Sequence, residues 1–274
     1  MLRKIYYKLP PKLRLLARRF YYLPIDIIQY LVGKKKMVPP KGLMFTGSGD
    51  YLEVGQRYLG YFIRYAGLMP HHYVLDVGCG VGRMAVALTG YLDQTARYDG
   101  FDVVKQGIHW CQEHVTTSYP NFQFRQVEVI NDLYIATGKK AQHFTFPYES
   151  SSYDVTIVIS VFTHMIYPEV EHYLTEIHRT LKDKGVLFIT LFLLNDVARN
   201  KMQQQDFRFD YMSDGCYLMN PDVMSANVAY DEVEIDWLLQ KTGFMVRHRF
   251  YGTWSGRSES TLDFQDIMVL EKSK

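Results

Sequence analysis

From residue 73 onward, short apolar runs alternate with stretches of helical periodicity. "YVLDVG" precedes "RMAVALTGYL", "YDGFDV" precedes "GIHWCQEHV", and "FQFRQVEV" follows; "YDVTIVIS" then precedes "EVEHYLTEIHRTL", with "GVLFITLFL" after it. Runs this short and this continuously apolar fit strands buried on both faces, so the alternation predicts an α/β protein with a parallel sheet covered by helices. Near the end, "DEVEIDWLLQKTG" predicts a helix closed by Gly243, and "FMVRHRFY" and "FQDIMVLEK" predict two strands that pair as a hairpin at the sheet edge. Residues 193–230 interrupt this plan. They are polar, aromatic and rich in Met and Asp without clear periodicity, which predicts a cap over an active site.

Upstream, Leu13, Leu16, Ala17 and Phe20 recur at i, i+3, i+4 and i+7 while Arg14, Arg18 and Arg19 fall largely elsewhere on the wheel, so a short basic amphipathic helix is expected. "MVPPKG" at 37–42 has the composition of a linker, and Asp50 is placed to cap a helix, with Glu53 three residues on. The expected organisation is an arm and linker over 1–42 and one domain over 43–274, with the cap at 193–230 inside it. "FYYLPIDIIQYLV" is too short, and too interrupted by Pro24 and Asp26, to cross a bilayer, which takes about 20 apolar residues. No small-x-small cleavage site marks it as a signal peptide.

The 274 residues, 47% hydrophobic and 22% charged, have an ordinary globular composition. The formal charge of +2 hides an asymmetry. Residues 1–36 hold ten lysines and arginines against Asp26, which gives that segment +9 and leaves −7 for the remainder. Two partners fit such an arm equally: an anionic membrane surface, with Phe20, Tyr21, Tyr22 and Leu23 as interfacial anchors, or protein, in its own domain or a partner subunit. The acidic remainder disfavours tRNA or DNA as substrate, unless the basic arm alone recruits them. Cys79, Cys111 and Cys216 are odd in number and without CxxC spacing, so neither a disulfide framework nor a cysteine zinc site is expected. No histidine has metal-ligand spacing either, and the expected compartment is the reducing cytoplasm, including the inner face of its membrane.

The most informative segment is "YVLDVGCGVGR", in which a buried strand runs into Gly78, Gly80 and Gly82 and then a helix. Glycines at such a turn let the backbone approach a ligand and aim amides at it. A dinucleotide fingerprint separates its third glycine from the second by two residues; Arg83 stands at that place. Asp76, inside the strand, is awkward beside a pyrophosphate and suits the ammonium of an amino acid. The segment resembles the first motif of class I S-adenosylmethionine (SAM)-dependent methyltransferases, and the resemblance runs from about residue 44 to the end.

That resemblance implies a Rossmann-like fold, a seven-stranded mostly parallel sheet with an antiparallel terminal strand, behind the basic amphipathic N-terminal arm. It places the methionine moiety of SAM on Asp76 and the turn of Gly78, Cys79, Gly80 and Gly82. It gives Asp102, which ends "YDGFD", the ribose hydroxyls, and gives Glu128 the adenine amino group, with Val129 packed on the ring. The family more often has Asp at the position of Glu128. Asp154 and Ser160 match the acid that opens the fourth strand and the small residue that ends it beneath the cofactor. "SVFTHM", "GFDVVKQGIHWC" and "YGTWSGR" are further similar to a bacterial methyltransferase group whose substrates are often unassigned.

Methyl transfer from a sulfonium is an in-line displacement that needs alignment and a dry site; the leaving thioether needs no acid. A hydroxyl acceptor needs a base, and His164, after the fourth strand at the sheet's C-terminal edge, is placed for it. The same residue also fits a structural role, as a hydrogen-bonded prop or a helix cap near Pro168. Trp254, Arg257, Gln265 and Asp266 flank a glycine-containing turn. They either line an acceptor pocket, where Trp and Arg suit a sugar or an anion, or hold a hairpin in which Asp266 pairs with Arg257. The expected activity is SAM-dependent methylation of a hydroxyl on a small molecule or on an envelope glycan or lipid. Two alternatives stand beside it: a membrane-tethered module that binds SAM or a nucleotide without turnover, and an NAD-dependent oxidoreductase, against which Asp76 and Arg83 speak.

Overall fold

The computed structural model describes residues 11–33, 37–45, 47, 49–131, 135, 137–258 and 261–273. They form two compact units, one running to His72 and resuming over Asp76–Gly138, the other comprising Tyr73–Leu75 and the chain from Lys139 onward.

In the first unit, helix α1 (Pro11–Leu31) opens on a proline, whose missing N–H costs nothing in a first helical turn. It is longer than the Leu13–Phe20 periodicity predicts and runs past Pro24 to Leu31, one residue short of the end of the apolar stretch. The Asp26 carboxylate accepts the amides of Lys41 at 2.6 Å and Gly42 at 3.0 Å. The expected linker therefore ends in a 3-10 turn, Lys41–Leu43, anchored to the arm. Of the arm's basic residues, Arg3, Lys4, Lys8 and Lys34, Lys35 and Lys36 lie outside the described residues. Helix α2 (Tyr51–Tyr65) begins where expected, because Asp50 accepts the amides of Leu52 at 2.9 Å and Glu53 at 3.0 Å.

Strand β1 (Tyr73–Val77), whose residues the two units share, leads to helix α3 (Arg83–Leu88), strand β2 (Arg97–Asp102), helix α4 (Lys105–Cys111) and strand β3 (Phe122–Gln126). Strands β2 and β3 pair in parallel, with Tyr98 opposite Phe122 and Asp102 opposite Gln126. Helices α2 and α3 are in close contact: a Cβ at Gly55 would stand 2.9 Å from the Arg83 carbonyl oxygen.

The second unit continues with strand β4 (Tyr153–Val158), helix α5 (Tyr167–Thr180), strands β5 (Leu181–Leu191) and β6 (Leu193–Leu194), and helix α6 (Asp196–Met202). Strands β7 (Tyr211–Ser213), β8 (Cys216–Leu218) and β9 (Val228–Asp231) follow, then helix α7 (Glu232–Lys241) and strands β10 (Phe244–Phe250) and β11 (Asp266–Lys272). The main sheet has the order β10-β11-β5-β4-β1-β2-β3. Strands β4 and β5 pair in parallel, whereas β11 runs antiparallel to both β5 and β10. The fold is thus the expected seven-stranded, mostly parallel sheet with an antiparallel strand near one end. The terminal hairpin carries a bulge between Val246 and His248.

Residues 193–231, in which no periodicity is visible, contribute a second sheet of order β6-β9-β8-β7. Strands of two to four residues are too short to display alternation. What holds them is a core of Phe192, Leu194, Met202, Phe209 and Trp254, with Phe207 and Tyr217 packed against it. The three cysteines are buried and unbridged.

Candidate active site

The glycine turn belongs to the first unit. Gly78, Gly80 and Gly82 have φ of 76°, 59° and 74°, a region that side chains disfavour, so the sequence allows a turn here that few others would accept. Its amides are committed in order. Those of Gly78 and Cys79 donate to the Phe101 carbonyl at 2.9 and 3.0 Å, that of Gly80 to Asp102 Oδ2 at 2.8 Å, and that of Gly82 to the Cys79 carbonyl at 2.9 Å. The turn is thereby fastened to the end of β2. Asp102 completes the arrangement by accepting the Val104 amide on Oδ1 at 2.7 Å. The backbone of Val103 adds to these, so the carboxylate is held rigidly by its own neighbourhood.

Burial dominates the electrostatics. It pushes the Asp102 carboxyl up to about 6, against the lowering effect of the amides it accepts. Asp76 is buried and accepts the Tyr98 hydroxyl in a short bond; burial raises it to about 7, against the lowering effect of that hydroxyl. The Cys79 side chain packs against Gly100, and burial raises its thiol, so Cys79 contributes backbone rather than a nucleophile. Val127 donates to the Asp102 carbonyl at 3.0 Å just beyond β3; Glu128 beside it is exposed, and Val129 is buried.

Two further features of this unit escape a reading by motif. Gly107 in α4 lets that helix approach the turn: a Cβ there would stand 2.4 Å from the Gly80 carbonyl oxygen. Tyr51, at the start of α2, donates its hydroxyl to the Val81 carbonyl at 2.9 Å, and the Arg83 guanidinium lies 5.7 Å from its ring centroid. The sequence signal for Gly107 is a lone glycine in the first turn of a helix, and that signal has many other causes.

In the second unit, Ser160 follows β4 with φ of 57°, its amide donating to Thr190 Oγ1 at 2.7 Å and its hydroxyl to Gln265 Oε1 at 2.9 Å. Asp154, at the other end of the strand, accepts the Tyr73 amide and the Lys182 ammonium, both at 2.8 Å. His164 is half-buried in a 3-10 turn, Phe162–His164, that Tyr230 pins by sharing its one hydroxyl proton between the carbonyls of Phe162 and Met165. Its Nδ1 lies 2.7 Å from the Ser225 carbonyl oxygen. Only a donor suits a carbonyl, so Nδ1 carries the proton; burial lowers the ring's pKa against the raising effect of the Ser225 and Ala226 backbone, which leaves a neutral imidazole.

Trp254 and Asp266 are brought together, inside the core. Asp266 accepts the amides of Gly252 and Leu193, both at 2.6 Å, and the indole N–H of Trp254 at 2.8 Å. Burial raises its carboxyl to about 6. Arg257 makes no hydrogen bond to Asp266, although its charge acts to lower that carboxyl; its guanidinium donates to Asn195 and lies 3.9 Å from the Tyr251 ring centroid. Among the described residues no cluster of His, Cys, Asp or Glu could hold a metal ion.

A glycine turn clamped to a buried aspartate at the end of the next strand, on this sheet, defines a Rossmann-like class I SAM-dependent methyltransferase. The sequence model of a family described as a methyltransferase domain matches residues 16–249, and the chain belongs to that family. A sterol 24-C-methyltransferase from Gibberella zeae is 25% identical over 199 residues, covering 71% of this chain and 46% of that protein. A phthiotriol/phenolphthiotriol dimycocerosates methyltransferase from Mycobacterium ulcerans is 32% identical over 117 residues, 43% of this chain and 36% of its own. The chain thus spans less than half the length of these curated relatives.

Among solved structures, a protein from Pyrococcus horikoshii superposes with a TM-score of 0.57 at 16% identity, covering 84% of this chain and 95% of that one. A SAM-dependent methyltransferase from Methanosarcina mazei gives 0.52 at 18% identity, with 77% and 97% covered. The domain is that of an enzyme whose cofactor is SAM, and the family match lends no support to an oxidoreductase or a non-catalytic module. The residues present fit that cofactor. At Gly82 the turn has no room for a side chain, since a Cβ there would meet Cys111 Sγ at 2.8 Å, and two buried acids whose pKa values burial has raised gain from a cationic ligand.

Replacing Asp266 by Ala leaves three buried donors without an acceptor. The expected loss is at least roughly 2–4 kcal/mol, read from urea unfolding, with Asp266→Asn recovering part of it because one acceptor oxygen remains. A loss below about 0.5 kcal/mol, as at an ordinary surface site, would remove the structural role assigned to this carboxylate.

Proposed function

We propose that this chain transfers the methyl group of SAM to a hydroxyl on a small molecule or on a lipid- or glycan-linked envelope acceptor. The observation that carries the cofactor half is Asp102, buried at the end of β2 and fixed by the amides of Gly80 in the glycine turn and of Val104. In this reading Asp102 accepts the ribose hydroxyls, the 78–82 turn and Asp76 face the methionine moiety, Glu128 receives the adenine amino group, Val129 packs on the ring and Ser160 lies beneath the cofactor. Bound SAM supplies an electrophilic methyl on sulfur. The chain's own residues orient it, exclude water and manage the acceptor's proton.

For that proton we assign His164, whose neutral ring and fixed tautomer leave Nε2 as the acceptor. The bond to Ser225 also favours a second reading, in which His164 ties Met224–Ala226 to the end of β4. Arg257, half-buried and planar, is assigned to the acceptor, with Trp254 and Asp266 shaping the loop behind it. The names of the two curated relatives describe lipidic acceptors, and an acceptor held in a membrane suits an arm of charge +9. The 193–230 segment serves as the substrate cap.

Three measurements test this. Asp102→Ala should weaken SAM binding at least roughly tenfold by calorimetry, the size of one or two lost charge-assisted bonds; unchanged affinity refutes the ribose assignment. Because a cation favours ionised carboxylates, binding should draw protons from Asp76 and Asp102. Affinity should therefore fall as pH drops below about 7 and through about 6, by up to roughly tenfold per pH unit for each acid. Calorimetry in buffers of different ionisation enthalpy reads the sign, and proton uptake contradicts it. Finally, His164→Asn keeps a donor for Ser225 and removes the base. It should cut transfer of labelled methyl to host lipid and glycan fractions by roughly 10²–10⁴ with SAM affinity unchanged, and full activity acquits the histidine.

A further inference from the structure

Helix α1 is packed the wrong way round for an ordinary surface helix. Steps of three and four residues put Leu13, Leu16, Phe20, Leu23, Ile27 and Leu31 on one side, and all six are exposed, Phe20 at 66% and Leu31 at 75%. The opposite side, with Leu15, Arg18, Tyr22, Asp26 and Gln29, is half-buried, and Arg14 beside it is 6% exposed. Asp26 holds this orientation through the amides of Lys41 and Gly42, where the backbones come so close that a Cβ at Gly42 would stand 3.1 Å from the Arg19 Cα. The protein turns the polar side of the helix inward and offers water a continuous apolar stripe, against the general preference for burying such side chains.

From this inverted packing we infer that the outward face of α1 docks on an anionic lipid bilayer and lies in its interface. The charge of residues 1–36, +9, complements anionic headgroups. Tyr21 and Tyr30 are exposed at the margins of the stripe, where amphipathic rings suit the headgroup level. Spanning is a different matter: among the described residues no helix is long and apolar enough to cross a membrane, and Arg18 and Asp26 occupy the inner side of this one. A second copy is the other candidate occupant. A two-fold contact of this stripe with itself, however, would bring two +9 segments side by side, which charge repulsion opposes. The inference concerns α1 and is independent of the acceptor proposed above.

The test uses the full chain and sedimentation with vesicles of phosphatidylcholine, with or without phosphatidylglycerol. The wild type should partition onto the anionic vesicles, less onto the neutral ones, and less again as salt shortens the screening length. Phe20→Glu/Ile27→Glu, at exposed positions, should lower the anionic partition by at least about tenfold. Leu16→Lys/Leu23→Lys adds positive charge while removing apolar contact and should lower it as well; full binding by that variant would mean that charge acts without the stripe, and would overturn the inference. So would absence of wild-type binding to either vesicle, equal binding by wild type and the Glu variant, or a wild-type dimer in light scattering that the Glu variant dissolves without any vesicle binding. SAM affinity, measured by calorimetry on the same samples, should match the wild type in both variants. Loss of SAM binding by the wild type itself would count against the cofactor reading and leave the docking result standing.

Discussion

The Gly80 amide and the Asp102 carboxylate meet 2.8 Å apart, and the first unit is arranged around that bond. The bond joins the turn after one strand to the end of the next, so the turn's shape is set by the sheet's own geometry. Everything adjacent serves it: left-handed glycines that let the chain double back, a Gly107 that admits α4, and a Val104 amide on the carboxylate's other oxygen. The arrangement costs something, since burial pushes Asp102 and Asp76 toward neutrality. Acids held in that state are poised, because a cation placed near them recovers the solvation that folding removed.

The second unit is built on a buried carboxylate as well, to the opposite end. Asp266 accepts donors from Leu193 and from the Gly252–Trp254 loop, two places that sequence separates and the fold brings together. The junction of β5 and β6, the start of the loop after β10, and a core indole are fixed relative to one another by one side chain. Asp102 takes its donors from the backbone of the glycine turn and of the residues just after it, whereas Asp266 ties together the fold of the second unit, a core indole included. Two aspartates at the ends of strands, both buried and both raised to about 6, therefore differ in what they hold: one the glycine turn, the other a core.

That difference marks how far sequence carries. The parallel strands were legible because burial on both faces writes continuous apolar runs such as "TIVIS", and the cofactor turn was legible because its glycines are dictated by backbone angles. The Asp50 cap is a local interaction, and local interactions leave local signals. Asp266 reads the same whether it faces a pocket or a core, because residue type reports polarity and not the direction of a side chain. The small sheet of 193–231 is held by non-local aromatic packing over strands too short for any period, so its residues look like a loop. Gly107 is silent for the same reason: the atom it makes room for belongs to a residue 27 positions away in the chain.

The arm is the converse case, in which periodicity is plain and orientation is not. A wheel shows that α1 has an apolar side; it does not show which side the body of the protein takes. Packing usually supplies the answer, since folding gains most by burying the apolar stripe. Here the first unit satisfies the polar side instead, with Asp26 capping the turn at Lys41–Leu43, so the fold secures the helix without drawing on its apolar residues. Leu13, Leu16, Phe20, Leu23, Ile27 and Leu31 then contribute little to the stability of the domain that carries them. A regular stripe of large apolar side chains that folding does not use implies a second surface that does, and the charge around it selects one rich in anions.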